Sequence, residues 1–311
     1  MAKRKPKKSS LLAYLAIFIG TIFIIAISMM IGYTYGKNES KSVIESEQLN
    51  TKELVEKLRS IVSSADYSLY EIEGAKHEYD TTQTPPKPHL REEPQEIKDA
   101  KLVIIIDDVA TAKDIEMIKS TKLPLVMSFL PPNVIHPDSA LLASNIDNYM
   151  VHLPLEAQNY DSPEPITLLA GASYDEIDAQ IASVKSLFPK VKYINNHTGS
   201  KFTDDRESMS KLLQVLNAHN IKFVDSRTIG SSKVAEASKE LGVRYLGRDI
   251  FLDHESGVEY AKSQIIEAIK VAKKHGYAIA IGHPKRDTIR ALIESKELLE
   301  SSVKIVGIEQ I

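Results

Sequence analysis

Leu102-Val103-Ile104-Ile105-Ile106-Asp107-Asp108 sets a run of apolar, mostly β-branched residues directly against two carboxylates. Such a run reads as a buried strand, and it begins a regular pattern that continues to Ile311. Further short apolar runs follow at Leu125–Leu130, Tyr149–Leu153, Val191–Ile194, Lys222–Val224, Val243–Tyr245, Ala278–Ile281 and Val303–Ile308. Between them lie stretches with helical periodicity: Asp114–Ser120, Tyr174–Leu187, Asp205–His219, Ser231–Leu241, Gly257–His275 and Arg286–Glu300. Strands alternating with helices predict a parallel sheet with covering helices. The segment 98–311 is shorter than the roughly 250 residues of a full eight-unit barrel, so a seven-stranded or distorted α/β barrel is expected.

In parallel α/β folds, ligands gather outside the carboxyl ends of the strands. The residues following the apolar runs are chemically rich. They are Asp107-Asp108, Pro131-Pro132-Asn133, His152-Leu153-Pro154-Leu155-Glu156, Asn195-Asn196-His197-Thr198-Gly199-Ser200, Asp225-Ser226-Arg227-Thr228, then Asp249 and Asp253, and Gly282-His283-Pro284-Lys285. Any one of these alone reads blandly, an Asp as a helix cap or a His as a structural residue. Their coincidence at strand ends points to one site.

That collection suits metal-assisted hydrolysis, in which His and carboxylate ligands leave a position open. Asp107 and Asp108 cannot both face one way along an extended strand, so the turn beyond it is expected to swing them inward. One would hold a metal and the other act as general base, with His283 across the site as acid. His152 and Glu156 would stand about 13 Å apart in a continuous strand. A helical turn starting near Pro154 would instead put both on one face. Asp225 and Arg227 read equally well as a structural ion pair or as site residues.

The sequence lacks cysteine and tryptophan and has 13 tyrosines. Disulfides and thiolate zinc are thereby excluded, leaving His, Asp and Glu as ligands. A sugar would have to rest on Tyr160, Phe202 or Phe251 instead of an indole. The net charge of −3 becomes more negative once the basic first ten residues are set aside. A body of that sign argues against nucleic-acid binding.

Residues 1–10 form a basic tail, and Leu11 to Tyr33 is an uncharged apolar run. About 20 such residues span a bilayer. The preceding bases place the N-terminus in the cytoplasm and the rest of the chain across the membrane. A cleaved secretory signal would also export it. Residues 34–97 read as a juxtamembrane helix followed by a Pro-rich linker, and residues 98–311 as the folded domain.

The motifs Ile106-Asp107-Asp108, His152-Leu153-Pro154-Leu155-Glu156, Asn195-Asn196-His197-Thr198-Gly199-Ser200, Asp225-Ser226-Arg227-Thr228, Asp249-Ile250-Phe251-Leu252-Asp253 and Ile281-Gly282-His283-Pro284 resemble those of the divergent polysaccharide deacetylases. These are remote relatives of the NodB-type carbohydrate esterases. The resemblance implies a distorted (β/α)7-type NodB-like barrel and a divalent metal, zinc being the first expectation. It implies Asp107 as base, His283 as acid, and Asp108 and His152 as metal ligands. Glu156 stands where the broader family has a second ligand histidine, which implies that His197 supplies it. Asn196, Asp225, Arg227 and Asp253 are expected around them, with Asn196 or a backbone N–H near Gly199 at the oxyanion. The expected activity is removal of acetyl groups from an envelope glycan by a membrane-anchored enzyme. Two alternatives are a non-catalytic glycan- or protein-binding envelope protein on the same fold, and hydrolysis of a phosphoester or another amide.

Overall fold

The computed structural model describes residues 99–159 and 163–311. The basic tail at 1–10, the expected membrane span at 11–33, the juxtamembrane helix and linker at 34–97, and Tyr160 lie outside the described residues. Among the described residues, no helix is long and apolar enough to cross a membrane.

Eight strands form one sheet in which every pairing is parallel. They are β1 (Lys101–Val109), β2 (Val126–Phe129), β3 (Tyr149–Leu155), β4 (Tyr193–Thr198), β5 (Lys222–Val224), β6 (Ile250–Phe251), β7 (Tyr277–Gly282) and β8 (Lys304–Ile305). Their order is β5-β4-β3-β2-β1-β7-β6, with β8 added beside β1. The sheet curls. Asp225 N–H donates to Leu246 O and Arg248 N–H to Asp225 O, each at 2.9 Å, and Asp249 N–H reaches Ile279 O at 2.8 Å. These bonds join the end of β5 to the chain entering β6, and that chain to β7, so the strands from β5 through β1 to β6 follow one another around the curl.

The pleat divides the apolar side chains into two cores. The larger lies between sheet and helices and takes Leu102, Ile104, Ile106, Val151, Leu153 and Ile194. The smaller fills the inside of the curl with Val103, Ile105, Met150, Tyr193, Val224 and Ile281 among others. Because side chains alternate, the inward rows continue upward to Asp107, His152, Asn195, His197, Ser226 and His283. The inside is therefore apolar below and polar at the carboxyl ends.

Several expected boundaries move. The sixth strand is not Val243–Tyr245 but Ile250–Phe251: Val243 N–H is taken by Ser238 O in the turn leaving the preceding helix, and sheet-like bonding begins only at Leu246. The stretch Arg286–Glu300 is two helices, Arg286–Glu294 and Lys296–Ser302, divided at Ser295. Short helices at Ser139–Ser144 and Ser200–Asp204 add to those expected. Strand β3 does not stop at Pro154. Its pairing with β2 ends at Phe129↔Val151 while its pairing with β4 runs on to Leu155↔Thr198. The missing N–H of Pro154 thus falls on the side where no neighbouring strand asks for it. The helical turn expected to bring Glu156 round to His152 is absent.

Candidate metal centre

Asp107 follows the inward row of β1, and an even pleat would turn Asp108 outward. The ladder corrects this with an irregularity: the β1–β2 register shifts between Ile106 and Val109, and Asp108 adopts φ +54°. A bulge with one residue in the left-handed region bends the strand and re-aims its side chains. Both carboxylates therefore reach the inside, each more than nine-tenths buried.

Asp108 meets two imidazoles. Its Oδ1 lies 3.1 Å from His197 Nδ1 and 3.4 Å from His152 Nε2, and the two rings stand edge to face at 5.1 Å. One ligand atom from each of Asp108, His152 and His197 falls within 4.8 Å of the others, all three residues being buried. Burial holds His152 well below the usual imidazole range, against the pull of Asp108. A neutral imidazole is the form that ligates a metal.

Asp107 faces the same space with different partners. Asn195 Nδ2 donates to both of its oxygens at 2.9 Å, and its Oδ2 stands 3.6 Å from His152 Nδ1. Burial pushes its pKa up to about 7, with His283 and Asn195 opposing the rise.

His283 closes the other side, its Nε2 3.9 Å from Asp108 Oδ2. Its Nδ1 pairs with Asp253 Oδ1 at 2.9 Å, and its backbone N–H donates to Asp253 Oδ2 at 2.8 Å. Thr288 Oγ1 donates to the same oxygen at 2.7 Å. Burial alone would lift Asp253, but His283 and these hydrogen bonds hold it at about 2. Burial likewise would lower His283, yet the Asp253 carboxylate raises it above the ordinary histidine value. A charged Asp253 thus fixes the ring and favours its protonated form.

Four expected neighbours lie elsewhere or act differently. Glu156 does not join the cluster: its Oε1 pairs with Lys201 Nζ at 2.7 Å and its Oε2 accepts Ala170 N–H at 2.8 Å. Asn196 points outward, donating from Nδ2 to Thr198 O and accepting Ser226 N–H at Oδ1. Both ends of its amide are thereby committed to backbone, away from any oxyanion. Asp225 accepts from Arg227 N–H, Ser232 Oγ and Tyr245 Oη, which makes it the tie of the loop after β5. Arg227 stands in that loop at φ +52° and sends Nη1 to Arg248 O. Of the aromatic platforms, Phe202 is fully buried, whereas Phe251 packs edge-on against His283 at 5.4 Å.

Two residues escaped the sequence reading. Asn195 shares the parity of His197 and Asn196 does not, so strand alternation alone would have chosen it. Arg248 continues the inward row of Leu246; its guanidinium donates to Ser226 O and Arg227 O at 2.7 and 2.8 Å and lies 4.7 Å over the Phe251 ring. Burial lowers it to about 10. Its run carried no strand signal that could have marked that direction.

A curled parallel α/β sheet with buried histidines and carboxylates at its carboxyl ends defines a barrel protein with a polar centre suited to an ion. The sequence model of the divergent polysaccharide deacetylases matches residues 104–311, and the chain belongs to that family. It is 32% identical over 208 residues to the uncharacterized protein YibQ of Escherichia coli K12, a match covering 66% of this chain and 65% of that one. An uncharacterized protein of Haemophilus influenzae Rd is also 32% identical, over 67% of this chain and 75% of its own length. The crystal structure of the uncharacterized protein ATU2773 from Agrobacterium tumefaciens C58 has a similar fold, with a TM-score of 0.59 at 16% identity over 70% of this chain and 90% of that one.

Proposed function

We propose that this protein is a membrane-anchored, metal-dependent hydrolase that removes acetyl groups from a glycan of the cell envelope. The observation that carries the reading is the division of labour around Asp107 and Asp108: one carboxylate converges with two imidazoles, and the other faces the same space opposite a histidine held by Asp253.

The residues fit a divalent ion. Asp108, His152 and His197 bring one carboxylate and two imidazoles within 4.8 Å of one another, and each ring keeps its second nitrogen, His152 Nδ1 and His197 Nε2, buried with no hydrogen-bond partner. Two adjacent buried carboxylates are costly without a compensating cation. A His2Asp set suits zinc, which when bound would supply Lewis acidity to the acyl carbonyl.

The chain's own groups would then do the following. Asp107 takes a proton from the attacking water: its carboxylate faces the same space as the three converging groups, 3.6 Å from His152, and stands outside that set, as a general base must to reach the water. The water oxygen bonds to the acyl carbon. His283 gives its Nε2 proton to the departing amine or alcohol as the bond to the acyl carbon breaks, and Asp253 holds the imidazolium in place. Phe251 lies beside His283 and offers a ring to the sugar.

Family membership supports the deacetylase reading. The anchor rests on the uncharged run Leu11 to Tyr33 behind its basic tail, with the barrel on the extracytoplasmic side. The test is ion analysis of the purified full chain, with acetate release from N- and O-acetylated glycans by wild type and Asp107→Asn. Zinc retention, with turnover that Asp107→Asn removes, is expected. Turnover unchanged by that substitution would overturn the mechanism, and zinc without turnover on any acetylated glycan would favour a binding protein.

A further inference from the structure

Two neighbouring aspartates reach one buried space, and something must keep the second off the ion. We propose that Asn195 is the positioning residue that does so, holding Asp107 out of the coordination shell while Asp108 enters it. The ion-exclusion half of this stands on the cluster geometry; the consequence for catalysis rests on the hydrolase reading above.

The amide has one workable orientation. In its ionised form, the form that acts as base, Asp107 only accepts, so the contacts to both of its oxygens require Nδ2 on that side. Oδ1 then faces β2, where Ser128 Oγ donates to it at 2.6 Å. The same Nδ2 reaches Ser226 Oγ at 2.9 Å beyond the end of β5, so one nitrogen serves three acceptors. Asn195, Ser128 and Asp107 are almost wholly buried. Flipping the amide would put Oδ1 against a carboxylate in a low-dielectric site, where unpaired polar groups cost most. Three segments of the barrel thus converge on one side chain of β4, and both oxygens of Asp107 accept from it while each keeps a second lone pair.

Without that clamp the carboxylate is close to the ion's ligands. Its Oδ2 is 3.6 Å from His152, and its backbone adjoins Asp108. A freed anion beside a divalent cation would turn toward it, adding a ligand and removing the base.

The decisive experiment measures zinc affinity of the full-length chain by chelator competition, a readout independent of turnover. Asp107→Asn is expected to leave affinity within about threefold of wild type, since Asp107 is not a ligand. Asn195→Ala should tighten zinc binding by about tenfold, the scale on which groups behind metal ligands act. The double variant Asn195→Ala/Asp107→Asn should return to the wild-type value. Ser128→Ala perturbs only the acceptor end and should tighten binding by about threefold, adding nothing to Asn195→Ala, because Ser128 acts through Asn195. On an acetylated glycan, Asn195→Ala should lower kcat by about 10- to 100-fold with KM within threefold. Zinc affinity that neither Asn195→Ala nor Ser128→Ala changes overturns the inference, even if the wild type is active. Absence of turnover in every chain, with the zinc pattern intact, overturns the hydrolase reading and leaves the inference standing. Failure of the wild type to bind zinc overturns both.

Discussion

His283 Nδ1 lies 2.9 Å from Asp253 Oδ1, and the same aspartate accepts the His283 backbone N–H and the Thr288 hydroxyl through its other oxygen. The carboxylate thus joins the two strand ends that flank the site and holds one ring orientation. The pH dependence of this pair follows from its shifts. Asp253 is lowered to about 2, so its contribution to stability is present above the unfolded carboxylate value near 4 and is lost as pH falls toward 2. His283 is raised, so its contribution is present below its unfolded value and is lost as pH rises through the folded one. We predict that Asp253→Asn costs on the order of 2 kcal/mol at pH 7 and that the difference shrinks between about pH 4 and 2. Urea unfolding across that range checks it; a cost independent of pH would show that the carboxylate's charge is immaterial.

His152→Ala and His197→Ala should each weaken zinc binding by more than about 100-fold, beyond the effect of losing a supporting group, because each ring is one of three converging donors. Equilibrium dialysis of the full chain reads this directly, and wild-type affinity in either variant would remove that histidine from the ligand set.

Glu156→Gln provides the contrast. Glu156 pairs with the half-exposed Lys201 side chain, and such pairs contribute at most about 1 kcal/mol. Stability should fall by no more than that and zinc affinity should not change. A large loss of zinc would mean that Glu156 reaches the ion after all.

Gly199 has φ +97°, and a Cβ there would meet Leu155 Cβ at 2.9 Å. Both the left-handed backbone and the close approach oppose a side chain. Gly199→Ala should therefore destabilise by about 2 kcal/mol or more, visible as a lowered Tm. An unchanged Tm would mean that β3 and the turn after β4 can separate freely.

Deleting 11–33 should move the protein from the membrane to the soluble fraction, as expected for a single apolar anchor. Membrane retention of the deleted chain would place the attachment elsewhere.

The apolar runs and the polar residues that end them were legible because burial and turn chemistry are local properties of sequence. They marked the curled parallel α/β sheet, the six motifs and the family, and they drew attention to Asp107, Asp108, His152, His197 and His283. Asn195 was within reach of the same logic, since parity with His197 along β4 separates it from Asn196. Tertiary structure alone decided the rest. The bulge at Asp108 depends on register with β2, the direction of Glu156 on Lys201 and the 168–170 segment, and the loop role of Asp225 on Tyr245 and Ser232. Each is a choice among orientations that the local sequence leaves nearly equal in energy, and a partner distant along the chain makes one of them the lowest.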